Sequence, residues 1–160
     1  MPNSIIESWG PRVDQRQPTS RDVIASRKRL FQKELEVVTT MHRARVKLLA
    51  GTDTPNPYCF PGFSLHDELG FMVQAGLSPL EALQTATINP AEFLGLSKSL
   101  GTVEKRKIAD LVLLDANPLE NIGNTKRIAA VVSSGRLLDR KALDGLLTDV
   151  ADRVEQGSAH

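Results

Sequence analysis

The apolar run Val46-Lys47-Leu48-Leu49-Ala50 stops at Gly51-Thr52-Asp53-Thr54. It reads as a buried strand that delivers a carboxylate at its carboxyl end. Where strands and helices alternate, loops at that end of the strands converge on one face, and chemistry collects there. A metal site or a proton-transfer site often uses one such Asp. The strand is therefore the first constraint on the fold, and Asp53 is the first candidate for function.

What surrounds this strand narrows the choices. The chain has 160 residues, enough for one domain or a piece of a larger one, and its 41% hydrophobic content suits a globular core. A net charge of +1 gives no electrostatic case for nucleic acid or for a membrane surface. Aromatic residues, at 4%, are too sparse for a base-stacking surface. The one cysteine, Cys59, allows no internal disulfide, and with no histidine near it in the sequence it is a poor nucleophile. The start, Met1-Pro2-Asn3-Ser4-Ile5-Ile6-Glu7, lacks a basic segment followed by a long apolar one, and no apolar run approaches the roughly 20 residues that span a bilayer. The expected location is cytoplasmic, an expectation that a signal peptide lost upstream would overturn.

Residues 1–18 hold Pro2, Pro11, Pro18, Gly10 and Trp9, and read as an irregular lead-in. Thr19 or Ser20 then caps a helix over about 20–43, with Val23, Ile24, Phe31, Leu35, Val38 and Met41 as its apolar stripe. The charge run Arg27-Lys28-Arg29 is a solvated face. After the strand comes a stretch stiffened by Pro55, Pro57 and Pro61, as suits a loop that must hold geometry. Three short helices follow. Ser64 caps the first, which runs to Ala75 with Gly76 past its end. Ser78-Pro79-Leu80-Glu81 is a capping box with proline at the first helical position. Asn89-Pro90-Ala91-Glu92 repeats that design, closed by Gly95.

Near residue 97 the pattern turns extended. Leu100–Val103 reads as a strand, 104–107 as a polar turn, and Asp110–Asp115 as a buried strand bounded by acids. Ile128–Val132 and Leu137-Leu138 follow as strands around the turn 133–136. An amphipathic helix over about 140–150 and a polar tail end the chain.

Taken in order, Ala50-Gly51-Thr52-Asp53, Leu65-His66-Asp67-Glu68-Leu69, Ala75-Gly76-Leu77-Ser78-Pro79-Leu80-Glu81-Ala82-Leu83, Ala86-Thr87-Ile88-Asn89-Pro90-Ala91, Leu94-Gly95-Leu96, Leu100-Gly101-Thr102-Val103-Glu104 and Ala109–Asp115 resemble the C-terminal part of the amidohydrolase superfamily. The likeness is greatest to its imidazolonepropionase-like and prolidase-like members, and covers about residues 20–147. Each piece is weak alone. Their order and spacing are specific.

The resemblance implies an α/β fold: the last βα part of a (β/α)8 TIM-type barrel, followed by strands of a small β-sandwich domain. Residues 19–97 would be the barrel part, 98–139 the share of the sandwich, and 140–160 a terminal helix and tail. It implies a metal-dependent hydrolase of C–N bonds, in a non-peptide, cyclic or X-Pro-type amide. One or two divalent metals, usually zinc, would serve it. Asp53 matches the family's metal-binding aspartate after the last barrel strand, which also shuttles a proton between attacking water and leaving group. The chemistry is sound on its own terms. A metal brings the pKa of water to about 7, and a neighbouring carboxylate takes and returns the proton. His66 and Asn56 are candidate substrate contacts, with Tyr58 beside them; local packing is the plainer role for each.

Two departures from the family matter. There is no His-x-His pair, and His42, His66 and His160 match no metal-ligand position. One carboxylate does not make a catalytic zinc site, which takes about three protein ligands. The turn before the acid-flanked strand holds Lys105-Arg106 where the family usually has a glycine second; a positive φ at Arg106 would cost on the order of 1 kcal/mol. The expected partners are therefore a small-molecule amide and the missing N-terminal barrel segment, or a second copy, with no nucleic acid and no membrane. The competing expectation is a non-catalytic remnant that pairs through open barrel edges.

Overall fold

The computed structural model describes residues 20–54 and 56–157. The expected lead-in 1–18, the alternative cap Thr19, Pro55 and His160 lie outside them.

Helix α1, Arg21–Arg43, begins where its cap predicts: Ser20 Oγ accepts from Val23 N at 3.3 Å. Only the middle of its apolar stripe is covered, from Phe31 to Val38, while Met41 is exposed. Leu35 is buried, Phe31 meets Phe71 edge-on at 5.1 Å, and Thr39 Oγ1 donates to Ala75 O at 2.6 Å. Val23 and Ile24 are exposed, as is the Arg27-Lys28-Arg29 run.

Residues 46–50 depart from expectation. They join no sheet among the described residues, and Val46, Lys47 and Leu49 are exposed. A parallel strand acquires its ladder and its burial from flanking strands and covering helices, and here only helices lie beside it.

Helix α2 is Ser64–Gln74, α3 is Pro79–Thr85 and α4 is Ile88–Phe93. The capping box of α3 forms as read, with Glu81 N donating to Ser78 Oγ at 3.3 Å and Ser78 N to Glu81 Oε2 at 2.7 Å. The Ser78 hydroxyl, which donates to Glu81 Oε2 at 2.6 Å, and the Ser78 N–H together hold the Glu81 carboxyl below its ordinary value. Two cap assignments are corrected. Phe63, not Ser64, precedes α2, and Ser64 Oγ accepts from Phe60 N at 2.8 Å. Thr87 precedes α4, which places Asn89 inside the helix rather than at its cap. In both cases a partner outside the helix takes the side chain that local spacing had assigned to the cap. Gly76 and Gly95 end α2 and α4 in the left-handed region as expected, at φ 102° and 71°.

Leu100–Val103 is not a strand. Gly101 sits at φ 92° directly against Ile88 and Ala91 of α4, Val103 is exposed, and Ser99 O accepts from Ile108 N at 2.9 Å. Side chains close this loop: Thr102 Oγ1 donates to Glu104 Oε1 at 2.7 Å, and Lys107 Nζ reaches Thr102. Arg106 takes φ 73°, the conformation its position required.

The sheet has the antiparallel order β1-β2-β3, with β1 Leu111–Leu114, β2 Ile128–Ser133 and β3 Arg136–Leu138. Ser134 and Gly135, at φ 51° and 80°, form the β2–β3 turn, and both positive angles suit the twist of a tight hairpin. Asp110 Oδ1 accepts from Ser134 N at 2.6 Å, which gives the acid before β1 a structural task. Helix α5, Arg140–Gly157, runs past the expected end near 150 and takes up most of the supposed polar tail. Exposed polar residues are compatible with helix continuation; they do not end one without a Gly or Pro.

The core is small: Leu35, Leu69, Leu77 and four alanines (Ala75, Ala82, Ala91, Ala130). Large apolar side chains remain outside it, Phe93 at 77% exposure among them. Among the described residues no helix is long and apolar enough to cross a membrane.

Candidate functional site

The segment leading into Asp53 is held from one side by three successive helices. Asn89 Nδ2 of α4 donates to Leu48 O at 2.9 Å. Thr85 O, at the end of α3, accepts from Ala50 N at 2.9 Å. Glu68 Oε1 of α2 accepts from Gly51 N at 2.9 Å. Thr85 is almost fully buried, its hydroxyl donating to Ala82 O at 2.6 Å, so its carbonyl is a rigid anchor. Lys47 adds an ion pair with Glu92. None of these anchors was legible as such. The available signals were an Asn within a helix, where it is a poor helix former, and an acid at position 68, three residues from Leu65 and beside Leu69 on the buried stripe.

Asp53 itself adopts φ 52°, a left-handed conformation that Asp and Asn tolerate better than most residues. Its side chain is exposed. Asn56 Nδ2 donates to Asp53 Oδ2 at 2.6 Å, and Asn56 N donates to Asp53 O at 3.2 Å. Among the described residues Asp53 Oδ1 accepts no hydrogen bond, so one carboxylate oxygen faces outward from an organised turn. The loop continues with Cys59 N donating to Asn56 O at 2.9 Å and with Tyr58 at φ 66°. Asp53 and Asn56, both read from the sequence, are thus brought together.

His66 is occupied elsewhere. Its Nδ1 lies 3.0 Å from Thr125 Oγ1, in the short 3₁₀ helix Ile122–Lys126. Thr125 Oγ1 donates its own proton to Ile122 O at 2.8 Å, so the imidazole donates from Nδ1. Beside it Lys126 Nζ pairs with Asp67 Oδ1 at 2.6 Å. Partial burial, reinforced by the Lys126 charge and opposed by Asp67, holds the His66 pKa below the ordinary 6.5. The ring borders a largely apolar cavity of about 700 Å³ between α2–α4 and the 100–118 segment.

Among the described residues no group of three or more His, Cys, Asp or Glu side chains stands close enough to hold a metal ion. One outward carboxylate oxygen on a fixed turn fits a single position in the shell of a divalent cation. The remaining positions would need donors from outside these residues.

Against this geometry the relatives are informative. The sequence profile of the amidohydrolase family matches residues 12–138, and the chain belongs to that family. Imidazolonepropionase from Thermoplasma acidophilum is 37% identical over 75 residues, which cover 45% of this chain and 18% of that protein. Ochratoxinase from Aspergillus niger is 35% identical over 100 residues, covering 59% of this chain and 20% of that protein. Among solved structures, a Xaa-Pro dipeptidase with methionine bound in its active site superposes with a TM-score of 0.64 at 26% identity, over 86% of this chain and 32% of that one. The ochratoxinase structure gives 0.62 at 28% identity, over 76% of this chain and 28% of that one. The chain spans only 10% to 20% of the length of the curated relatives it matches.

Proposed function

We propose that this chain carries the final barrel strand and its catalytic aspartate for a metal-dependent hydrolase of C–N bonds, in a non-peptide, cyclic or X-Pro-type amide. On this reading residues 19–97 are barrel, 98–139 are part of a small β-sandwich, and 46–50 is a barrel strand awaiting its neighbours. The observation that carries it is the Asp53 turn: an outward carboxylate oxygen at the end of a segment held by three helices, in a chain of this family. Zinc is the proposed metal. When bound, it supplies the Lewis acidity that makes hydroxide available near neutral pH. Asp53 Oδ1 takes the proton of the attacking water and returns it to the leaving nitrogen. Asn56 steadies Oδ2 and is the better placed of the two proposed substrate contacts. His66, engaged with Thr125, would meet substrate only through the neighbouring cavity.

The test is hydrolysis of a cyclic amide and a Xaa-Pro dipeptide with added Zn²⁺, by the chain alone and mixed with a separately expressed N-terminal barrel segment of an amidohydrolase family member. Asp53→Asn keeps the left-handed turn and the Asn56 bond while removing the base. It is expected to lower turnover about 10²–10⁴-fold. Full turnover in Asp53→Asn would overturn the assignment.

A second reading rests on the unpaired 46–50 segment and on exposed apolar residues such as Val46, Leu49, Phe63 and Phe93. On it the chain is a non-catalytic remnant or interaction module that associates through those edges with a second copy or a complementary segment. Light scattering that shows a clean monomer, with no turnover in either form above, would count against both readings.

A further inference from the structure

We infer that Glu68 is a positioning residue for Asp53, its carboxylate fixing the turn from which the Asp53 carboxylate is presented. The inference rests on the reading of Asp53 as the reacting carboxylate. Glu68 Oε1 accepts the Gly51 N–H at 2.9 Å, two residues before Asp53. Its other oxygen, Oε2, is buried and accepts no hydrogen bond among the described residues.

The polar residues at the start of α2 divide their tasks. His66 is engaged with Thr125 and Asp67 with Lys126, both toward the 3₁₀ helix. Glu68 alone turns to the 46–53 segment. A half-buried Glu68 with one buried, unpaired carboxylate oxygen is a costly choice for a place beside Leu65 and Leu69, where an apolar side chain would pack without that cost. What the carboxylate does there, and an apolar group would not, is accept from Gly51. A hydrogen bond to a charged acceptor is stronger than a neutral one. This one acts next to a left-handed Asp53, a conformation that persists only when its surroundings hold it. With Thr85 O on Ala50 N, two adjacent peptide units are fixed just before the functional side chain.

Nitrogen-15 NMR of the full chain tests this. The Asn56 side-chain amide donates to Asp53 Oδ2, so its signal reports where that carboxylate stands, and Asp53→Asn assigns it. Glu68→Ala removes the acceptor and Glu68→Asp shortens its reach. Each is expected to speed deuterium exchange at the Gly51 amide about tenfold or more, and to shift the Asn56 side-chain signal, with helical circular dichroism unchanged. Glu68→Gln, whose Oε1 still accepts, is expected to restore both signals. A residue that merely stabilised the fold would lower the melting point without moving the Asn56 signal. The proposal is overturned if either signal stays at its wild-type value in folded Glu68→Ala or Glu68→Asp, or if Glu68→Gln fails to restore them. Should Glu68→Ala not fold, Glu68→Asp carries the test. Turnover with a complementing N-terminal barrel segment separates this proposal from the functional one. Full turnover by Asp53→Asn there, with an Asn56 signal that still responds to Glu68 variants in the chain itself, counts against the reacting role of Asp53 and leaves its positioning standing.

Discussion

Gly101→Ala should be the most damaging of the substitutions at Gly51, Gly76 and Gly101, and its cost follows from two separate terms. A Cβ built on Gly101 would stand 2.9 Å from Ile88 Cα, 3.0 Å from Ala91 Cβ and 3.0 Å from Ile88 Cδ1. The nearest of these atoms is backbone, so no rotamer change relieves the overlap, and either α4 or the 100–103 loop has to move. Overpacking of this kind costs about 1–3 kcal/mol. Gly101 also sits at φ +92°, where a side chain adds about 1–2 kcal/mol. The lower entropy of alanine in the unfolded chain returns less than about 1 kcal/mol. The net loss is about 1–5 kcal/mol, with a middle value of about 3 kcal/mol that corresponds to a fall in Tm of roughly 6–12 °C for a chain of this size. Ile88 adjoins Asn89, so the displacement reaches the Leu48 anchor as well. Two other glycines separate the terms in the same thermal scan. Gly76, at φ +102° with open space around it, should lose only about 1 kcal/mol as alanine. Gly51, with open space and no positive φ, should change by less than about 0.5 kcal/mol. A Gly101→Ala protein that melts within about 2 °C of wild type, or no lower than Gly76→Ala, would refute the steric reasoning.

Arg106→Gly relieves the φ 73° backbone and should raise the urea midpoint by the equivalent of up to about 1 kcal/mol; an unchanged or lower midpoint would show that the turn bears no strain. Because the folded chain lowers the His66 pKa, the unfolded chain binds more protons below the ordinary 6.5. Stability should therefore fall as pH drops through about 6.5 and level off below the folded-state value, and His66→Asn, which keeps a donor for Thr125, should flatten that part of a melting-point titration. Asn89→Ala removes the Leu48 anchor at a cost of about 1 kcal/mol, with faster amide exchange at residues 48–51 than elsewhere; uniform acceleration along the chain would assign Asn89 a global role instead.

What the sequence by itself determined was the local chemistry, reaching three or four residues along the chain. Ser20 over Val23, the Ser78–Glu81 capping box, the left-handed glycines after α2 and α4, the strained Arg106 turn and the 133–136 hairpin all follow from side chains close to the backbone they satisfy. The order of those pieces also carried the family. Tertiary structure decided where distant partners intervene. Asn89 was taken from its cap by Leu48, 41 residues away. Glu68 was claimed by Gly51 across 17 residues, and His66 by Thr125 across 59. The apolar run 46–50 has the composition of a buried strand, yet it is half exposed and joins no sheet among the described residues, because a parallel ladder is made by neighbours and not by the strand. Periodicity and capping are written within a turn of helix. Anchoring of the Asp53 turn depends on which helices fold back beside it, and only the folded chain brings those donors and acceptors together.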